Sequence, residues 1–188
     1  MKQTNPLLLY QKYHIDRKDE RLEIFTILVE KYKIQTALYP GSFVHITPSF
    51  IIPKVVYVDN YKKTKKFFDS PEVCEFITKN KIYTEKPEVV FYLKDYKKDL
   101  EEPKKSFDLL ISQYAGFVSV HCKKYLANGG LLIVNNSHGD AGVANLDQDF
   151  ELQGIVHGRK NGFRIQTEKL DRYFIPKKDI KLTKEYLL

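Results

Sequence analysis

Lys54-Val55-Val56-Tyr57-Val58-Asp59 is a short apolar run closed by an acid, and the rest of the chain arranges itself around it. A strand with one wet face alternates apolar and polar residues; this one does not alternate, so it predicts a strand buried on both faces, as in a parallel sheet covered by helices. Upstream, residues 34–39 are β-prone and are stopped by Pro40-Gly41. Before them, Leu22, Phe25, Leu28, Val29 and Tyr32 recur at helical spacing and predict an amphipathic helix over 17–33. Downstream, 61–68 reads as a short basic helix, and Ser70-Pro71 opens a helix reaching about Asn80. Val89–Leu93, Asp108–Ser112 and Leu131–Val134 predict three more strands. Between the last two, Val118, Cys122, Tyr125 and Leu126 share a helix face, which Asn128-Gly129-Gly130 is expected to end. A helix is expected around 141–148. Two alternating segments, 150–157 and 162–167, joined through Arg159-Lys160-Asn161-Gly162, predict a closing hairpin. Strand and helix in alternation imply an α/β sandwich with a mostly parallel sheet and helices on both faces.

The chain of 188 residues fits one domain, 1–188, with residues 1–16 as an N-terminal extension. Composition excludes collagen-like, disordered and disulfide-scaffold classes. No apolar run reaches the roughly 20 residues of a membrane span, and the N-terminus lacks the pattern of a secretory signal. Cys74 and Cys122 are too few for a disulfide framework and read as small core residues in a reducing, cytoplasmic setting. The net charge is +7, which permits RNA contact. Its source is mostly lysine spread along the chain, however, with arginine confined to Arg17, Arg21, Arg159, Arg164 and Arg172. That distribution favours a solvated surface over a nucleic-acid site.

In an open α/β sheet, ligands bind beyond the carboxyl ends of the strands. That rule selects Tyr39-Pro40-Gly41-Ser42, Asp59-Asn60-Tyr61, Asp95-Tyr96, Gln113-Tyr114-Ala115-Gly116 and Asn135–Asp140. Gly41 lets the backbone turn sharply or approach a ligand. Asp59, at the tip of the second strand, is placed to accept hydrogen bonds from a ribose diol, or to cap the helix that follows, or both. His45, Thr47 and Ser49 lie among apolar neighbours, where a histidine is a packing residue or a catalytic base. Asn135–Asp140 is either a self-capped loop or part of the site. His138 and Asp140 make no metal site, because a third ligand is missing. The phosphate-loop, zinc-protease and hydrolase-elbow patterns are absent, which argues against those enzyme classes.

The segments Tyr39–Phe50 (Tyr-Pro-Gly-Ser-Phe-Val-His-Ile-Thr-Pro-Ser-Phe), Phe107–Ser119 (Phe-Asp-Leu-Leu-Ile-Ser-Gln-Tyr-Ala-Gly-Phe-Val-Ser) and Asn135–Ala141 (Asn-Asn-Ser-His-Gly-Asp-Ala) resemble a small branch of the class I S-adenosylmethionine-dependent methyltransferases. The resemblance covers about residues 17–175. It implies a Rossmann-like three-layer sandwich with a mostly parallel seven-stranded sheet that ends in an antiparallel hairpin. It also implies S-adenosylmethionine as cofactor and methyl transfer to an unidentified acceptor. On this footing Tyr39, Pro40, Gly41 and Ser42 pass the methionine part, Asp59 with Asn60 holds the ribose, Asp95 approaches the adenine, and Ser112 and Gln113 border cofactor and acceptor. His138 and His45 become candidate bases, and Tyr114 shapes the pocket. The chain departs from the family at the first loop. Tyr39 stands in place of an acid, and Phe43 and His45 stand where glycines are usual. The alternative reading is therefore a non-catalytic methyltransferase-like protein that binds a nucleotide or works through an interface.

Overall fold

The computed structural model describes residues 5–18, 21–113, 115–159, 162–175 and 183–187. Five strands form one all-parallel sheet in the order β3-β2-β1-β4-β5: β1 (Thr36–Pro40), β2 (Lys54–Asp59), β3 (Glu88–Leu93), β4 (Phe107–Ser112) and β5 (Leu126–Val134). The order reverses between β1 and β4, which makes the carboxyl edge there the topological switch point.

β2 is buried along Val55–Val58, as its unbroken apolar run predicts. Its two faces enter different cores. Ala37, Tyr39, Val55, Tyr57, Leu109 and Ile111 face one, while Leu38, Val56, Val58 and Leu110 face the other. The first core is roofed by α2 (Leu22–Tyr32), α3 (Lys62–Phe68) and α4 (Pro71–Asn80); the second is closed by α5 (Val118–Cys122), Tyr125 and Leu100. At the amino edge, one oxygen of Asp108 accepts hydrogen bonds from the Gln35 and Thr36 amides and the Thr36 hydroxyl, each at 2.9 Å, and so fixes the start of β1 against β4.

The helix predicted from residue 17 begins later, at Leu22. Lys18 and Arg21 have φ of +53° and +57°, so the chain turns out of a preceding π-turn (Gln11–Ile15) before α2 can start. That π-turn continues α1 (Leu7–Tyr10). Lys33, also left-handed at +57°, ends α2. Ser70 does not cap α4 with its hydroxyl, which donates to Glu72 instead.

Two corrections concern the far side of the sheet. α5 stops at Cys122 instead of running to Leu126, because the Tyr125 hydroxyl accepts the Leu100 amide at 2.7 Å and pins the chain into a 3-10 turn. Asn128-Gly129-Gly130 therefore ends no helix; it lies inside β5. There the pairing with β4 jumps from Phe107–Leu126 to Leu109–Leu131, and Gly129 supplies a φ of +77°. α6 (Asp140–Asn145) is correspondingly shorter than expected.

The second correction is to the seven-stranded sheet. β6 (Ile155–Arg159) and β7 (Gly162–Gln166) pair antiparallel with each other and form a separate two-stranded sheet. Val156, Phe163 and Ile165 pack onto the α2 core, and the Phe163 amide donates to Glu23 of α2 at 3.0 Å. That attachment holds the hairpin beside α2 and away from the outer edge of β5. The central residues of its expected turn, Lys160 and Asn161, lie outside the described residues. A last short helix, α7 (Lys184–Leu187), meets α6 through the Leu187 side chain at Gly142. No helix among the described residues is long and apolar enough to cross a membrane. Cys122 is buried as expected, whereas Cys74 is exposed on α4, because its neighbours Val73 and Ile77 take the core-facing positions.

Candidate functional site

The carboxyl ends of β1, β2 and β4 meet around Gly41. Gly41 takes a φ of +65° and Phe43 a φ of +48°, an uncommon conformation for an aromatic residue. These two bends turn the chain inward, so that Val44, His45 and Ile46 are buried. The crossover to β2 then contains only a 3-10 turn, Thr47–Phe50. A dinucleotide site sets its pyrophosphate on the N-terminus of a helix at this point. Here the crossover presents no α-helix N-terminus.

Asp59 is half-buried at the tip of β2. Its Oδ2 accepts the Phe43 amide at 2.9 Å, and its Oδ1 accepts the Tyr61 amide at 2.8 Å. The carboxylate thus ties the first loop to the second and sets the turn into α3. Each oxygen uses one lone pair in this way and keeps one. Asn60 and Tyr61 are exposed beside it, and the Phe43 and Tyr61 rings lie 6.1 Å apart across it. Asp95 accepts the Lys97 amide at 2.9 Å in the turn after β3.

The other predicted residues divide. Tyr39, Ser42, His45, Ser112 and Gln113 are all buried. The Tyr39 hydroxyl donates to Gln113 Oε1 at 3.3 Å and lies 3.0 Å from His45 Nδ1. His45 also stacks on His14 at 4.3 Å. It sits inside the α2 core and not on the open edge beside Asp59. Pro40 is buried in β1. His138 is exposed, 3.0 Å from the Ser137 hydroxyl, and is far from His45 in function: one is solvated, the other packed. Tyr114 lies outside the described residues.

Three sets of contacts at the site go beyond the residues that the sequence singled out. Gly41 abuts Ala115: a β-carbon built on Gly41 would lie 2.1 Å from that of Ala115, so the loops after β1 and β4 are in contact. The Tyr96 hydroxyl donates to the Ala115 carbonyl and braces that contact. Tyr13, from the N-terminal π-turn, sets its ring edge-on to Phe43 at 5.1 Å, with the Arg17 guanidinium 4.9 Å over its own face. The third is Asp140, fully buried, whose carboxylate accepts the Ser112 hydroxyl at 2.5 Å, the Ser119 amide at 3.1 Å and the Ser119 hydroxyl. The polar cluster after β5 is therefore split. Asp140 points inward and anchors α5 to β4, while Asn135 and Asn136 accept hydrogen bonds from Ser137 and Gly142 within the loop. The self-capped-loop reading of 135–140 thus holds for Asn135 and Asn136, while nothing local marks Asp140 as the residue that turns inward.

Among the described residues no group of histidine, cysteine and acidic side chains is placed to hold a metal ion. A cleft of about 1740 Å³ lies elsewhere, along the outer edge of β5, between that strand, α2, residues 149–154 and the hairpin. It touches the switch point only at Gln113 and Asn135.

No protein-family model and no curated protein matches the chain. Solved structures do. A methyltransferase from Geobacter sulfurreducens superposes over 88% of this chain and 90% of its own, with 14% identity and a TM-score of 0.54. A protein from Methanococcus maripaludis matches over 63% of this chain and 56% of its own (12% identity, TM-score 0.49), and the YcgJ protein from Bacillus subtilis over 58% and 48% (15%, 0.43). The match thus covers about half the length of these last two proteins. The Geobacter superposition shows a shared α/β, Rossmann-like fold built on a parallel sheet.

Proposed function

We propose that the chain is an S-adenosylmethionine-dependent methyltransferase acting on a still unidentified acceptor. The observation that carries this reading is Asp59. It is a carboxylate at the tip of β2, aimed at the first loop by two backbone amides, with a free lone pair on each oxygen. The five-strand order and the fold shared with the Geobacter methyltransferase support it. So does a first crossover without a phosphate-binding helix terminus, since this cofactor carries no phosphate.

The residues fit the cofactor at one end only. Asp59 and Asn60 suit the ribose hydroxyls, with Phe43 and Tyr61 as apolar flanks and Asp95 on the adenine side. At the methionine end, Gly41 abuts Ala115, so the loop after β4 closes the first loop on that side. The exposed His138 is the better placed of the two candidate bases, since His45 is enclosed. A cytosolic setting agrees with the exposed, unpaired thiol of Cys74.

The Gly41–Ala115 contact favours a second reading, a methyltransferase-like binding protein without catalysis. Calorimetric titration with S-adenosylhomocysteine, together with a methyl-transfer assay on cell extract, separates the two. Saturable binding that weakens at least tenfold in Asp59→Ala, with transfer to a component of the extract, is the expected result. Binding unchanged in Asp59→Ala removes that residue from the cofactor site, and no binding at all leaves the second reading.

A further inference from the structure

An unbroken chain of ring and cation contacts crosses the rim of the sheet's carboxyl edge. The Tyr13 ring of the N-terminal π-turn meets Phe43 of the first loop at 5.1 Å, and Phe43 meets Tyr61, at the start of α3, at 6.1 Å. Each end carries cations. Arg17 lies 4.9 Å and Lys12 5.6 Å from the Tyr13 ring centre, and Lys63 lies 5.9 Å from that of Tyr61. Tyr61 is 46% exposed, Tyr13 and Phe43 are half-buried, and Lys12, Arg17, Lys62 and Lys63 are exposed. Among the described residues none of these four cations is in an ion pair, whereas Lys54, Lys65, Lys123 and Lys124 each hold a carboxylate. Within residues 11–17, 41–46 and 59–63 the acids are Asp16 and Asp59, and Asp59 already accepts two backbone amides. Asp95, in the turn after β3, is followed by Lys97 and Lys98. Basic residues that are scattered in the sequence are thus gathered here beside three rings.

We infer that this strip is a binding surface for single-stranded nucleic acid. Unpaired bases stack on aromatic rings and on guanidinium planes, while the backbone phosphates take lysine and arginine. Three rings in succession suit two or three bases of one strand. The mixture of ring faces and unpaired cations separates this partner from its competitors. A duplex offers phosphates but keeps its base faces stacked, and an inorganic polyanion or an anionic lipid surface has no bases to stack. The surface stands without methyl transfer. Because Phe43 and Tyr61 also flank Asp59, a strand held here passes the mouth of the candidate site. To name that strand as the methyl acceptor rests on the methyltransferase reading; the binding surface does not.

The test is fluorescence anisotropy of the full chain with a fluorescein-labelled ten-nucleotide RNA of mixed sequence, the same strand made as DNA, and the matching duplex. Expected are saturable binding of a single strand, at least tenfold weaker binding of the duplex, and log affinity that falls against log salt with a slope of about −2 to −3, as three or four phosphate contacts require. Tyr13→Leu keeps the apolar bulk but removes a stacking face, and weakens binding about fivefold or more. Arg17→Gln and Lys63→Gln each reduce the salt slope by about 0.7. Circular dichroism of the variants confirms that they fold, and titration with S-adenosylhomocysteine is expected to be the same for all three as for the unaltered chain. Strand binding without S-adenosylhomocysteine binding supports the surface and removes the methyltransferase reading. Binding of S-adenosylhomocysteine without strand binding overturns the surface alone. The surface is overturned equally by the same affinity for duplex or inorganic polyphosphate as for the strand, by unchanged binding in Tyr13→Leu, or by tighter association with phosphatidylserine vesicles than with the strand.

Discussion

Single residues carry much of this molecule's specification, and Asp140 shows how. Its side chain is buried and accepts from two serine hydroxyls and an amide, linking the end of β4 to the start of α5. A buried carboxylate held in this way is costly to disturb, since removing it strands its donors. Asp140→Asn keeps the shape but sets an NH2 group against the Ser119 amide on one side and makes one serine hydroxyl turn from donor to acceptor. The expected loss is about 1–3 kcal/mol of unfolding free energy in a urea melt, and an unchanged midpoint would show that the cluster reorganises freely. Tyr57 is a second case. Burial pushes its hydroxyl far above the usual phenol range, and it stays neutral, bonded to Ser49 at 2.6 Å. Burial likewise raises the Cys122 thiol to about 12, while Cys74 is exposed, so the two cysteines differ in reactivity despite similar sequence surroundings. Asp59 was legible as a strand-tip acid because position alone identifies it. That Phe43 bends left-handed and carries His45 into the core was not, since nothing local distinguishes that turn from one leading straight into a helix.

Elements were legible in proportion to how far their burial depends on the local pattern. β1, β2 and β4 lie between two helical layers, so unbroken apolar runs announce them. The length of α5, the bulge in β5 and the site of the hairpin depend on distant partners, Leu100, Phe107 and Glu23, which no window of sequence contains. The attachment of α7 is of the same kind. Asp147, just beyond α6, receives Lys123 at 2.8 Å and Lys184 of α7 at 3.1 Å. Burial acts to raise its carboxyl, but the Lys123 ammonium, the Asp149 amide and the Lys184 ammonium outweigh it and hold the value at about 2. A carboxyl whose folded value is depressed stabilises the fold above its unfolded value, near 3.9, and that contribution is lost as pH falls through about 2. Solvent around the two part-exposed ammonium groups screens the pair, so the amount is about 1 kcal/mol. Between those limits the α7 amides and the Leu187 methyl resonances are expected to shift first, and Asp147→Asn should produce the same shifts at neutral pH. If Asp147→Asn leaves the α7 signals in place, apolar contact alone seats that helix.

At the scale of the whole molecule, a five-strand parallel sheet and a separate hairpin are joined through α2 and not through a continuous sheet. The sequence carries both parts but not their separation, because alternation predicts a hairpin equally well whether its edge is paired or free. The separation has an energetic consequence. β1, β2 and β4 have both edges paired and both faces covered, so their amides open only with the global transition. The hairpin is held by Val156, Phe163 and Ile165 against α2 and by the Glu23–Phe163 hydrogen bond. It is therefore expected to open at lower cost, as its own unit. Native-state hydrogen exchange should order the strands accordingly, with β1, β2 and β4 slowest, the inward amides of β5 next and the hairpin fastest. Glu23→Ala should speed exchange across β6 and β7 severalfold and leave β1, β2 and β4 unchanged. If that variant instead lowers protection equally in every strand, the hairpin and the sheet unfold together. The free edge of β5 would then be coupled to the hairpin as part of one cooperative structure, and the cleft between them would not open independently of the core.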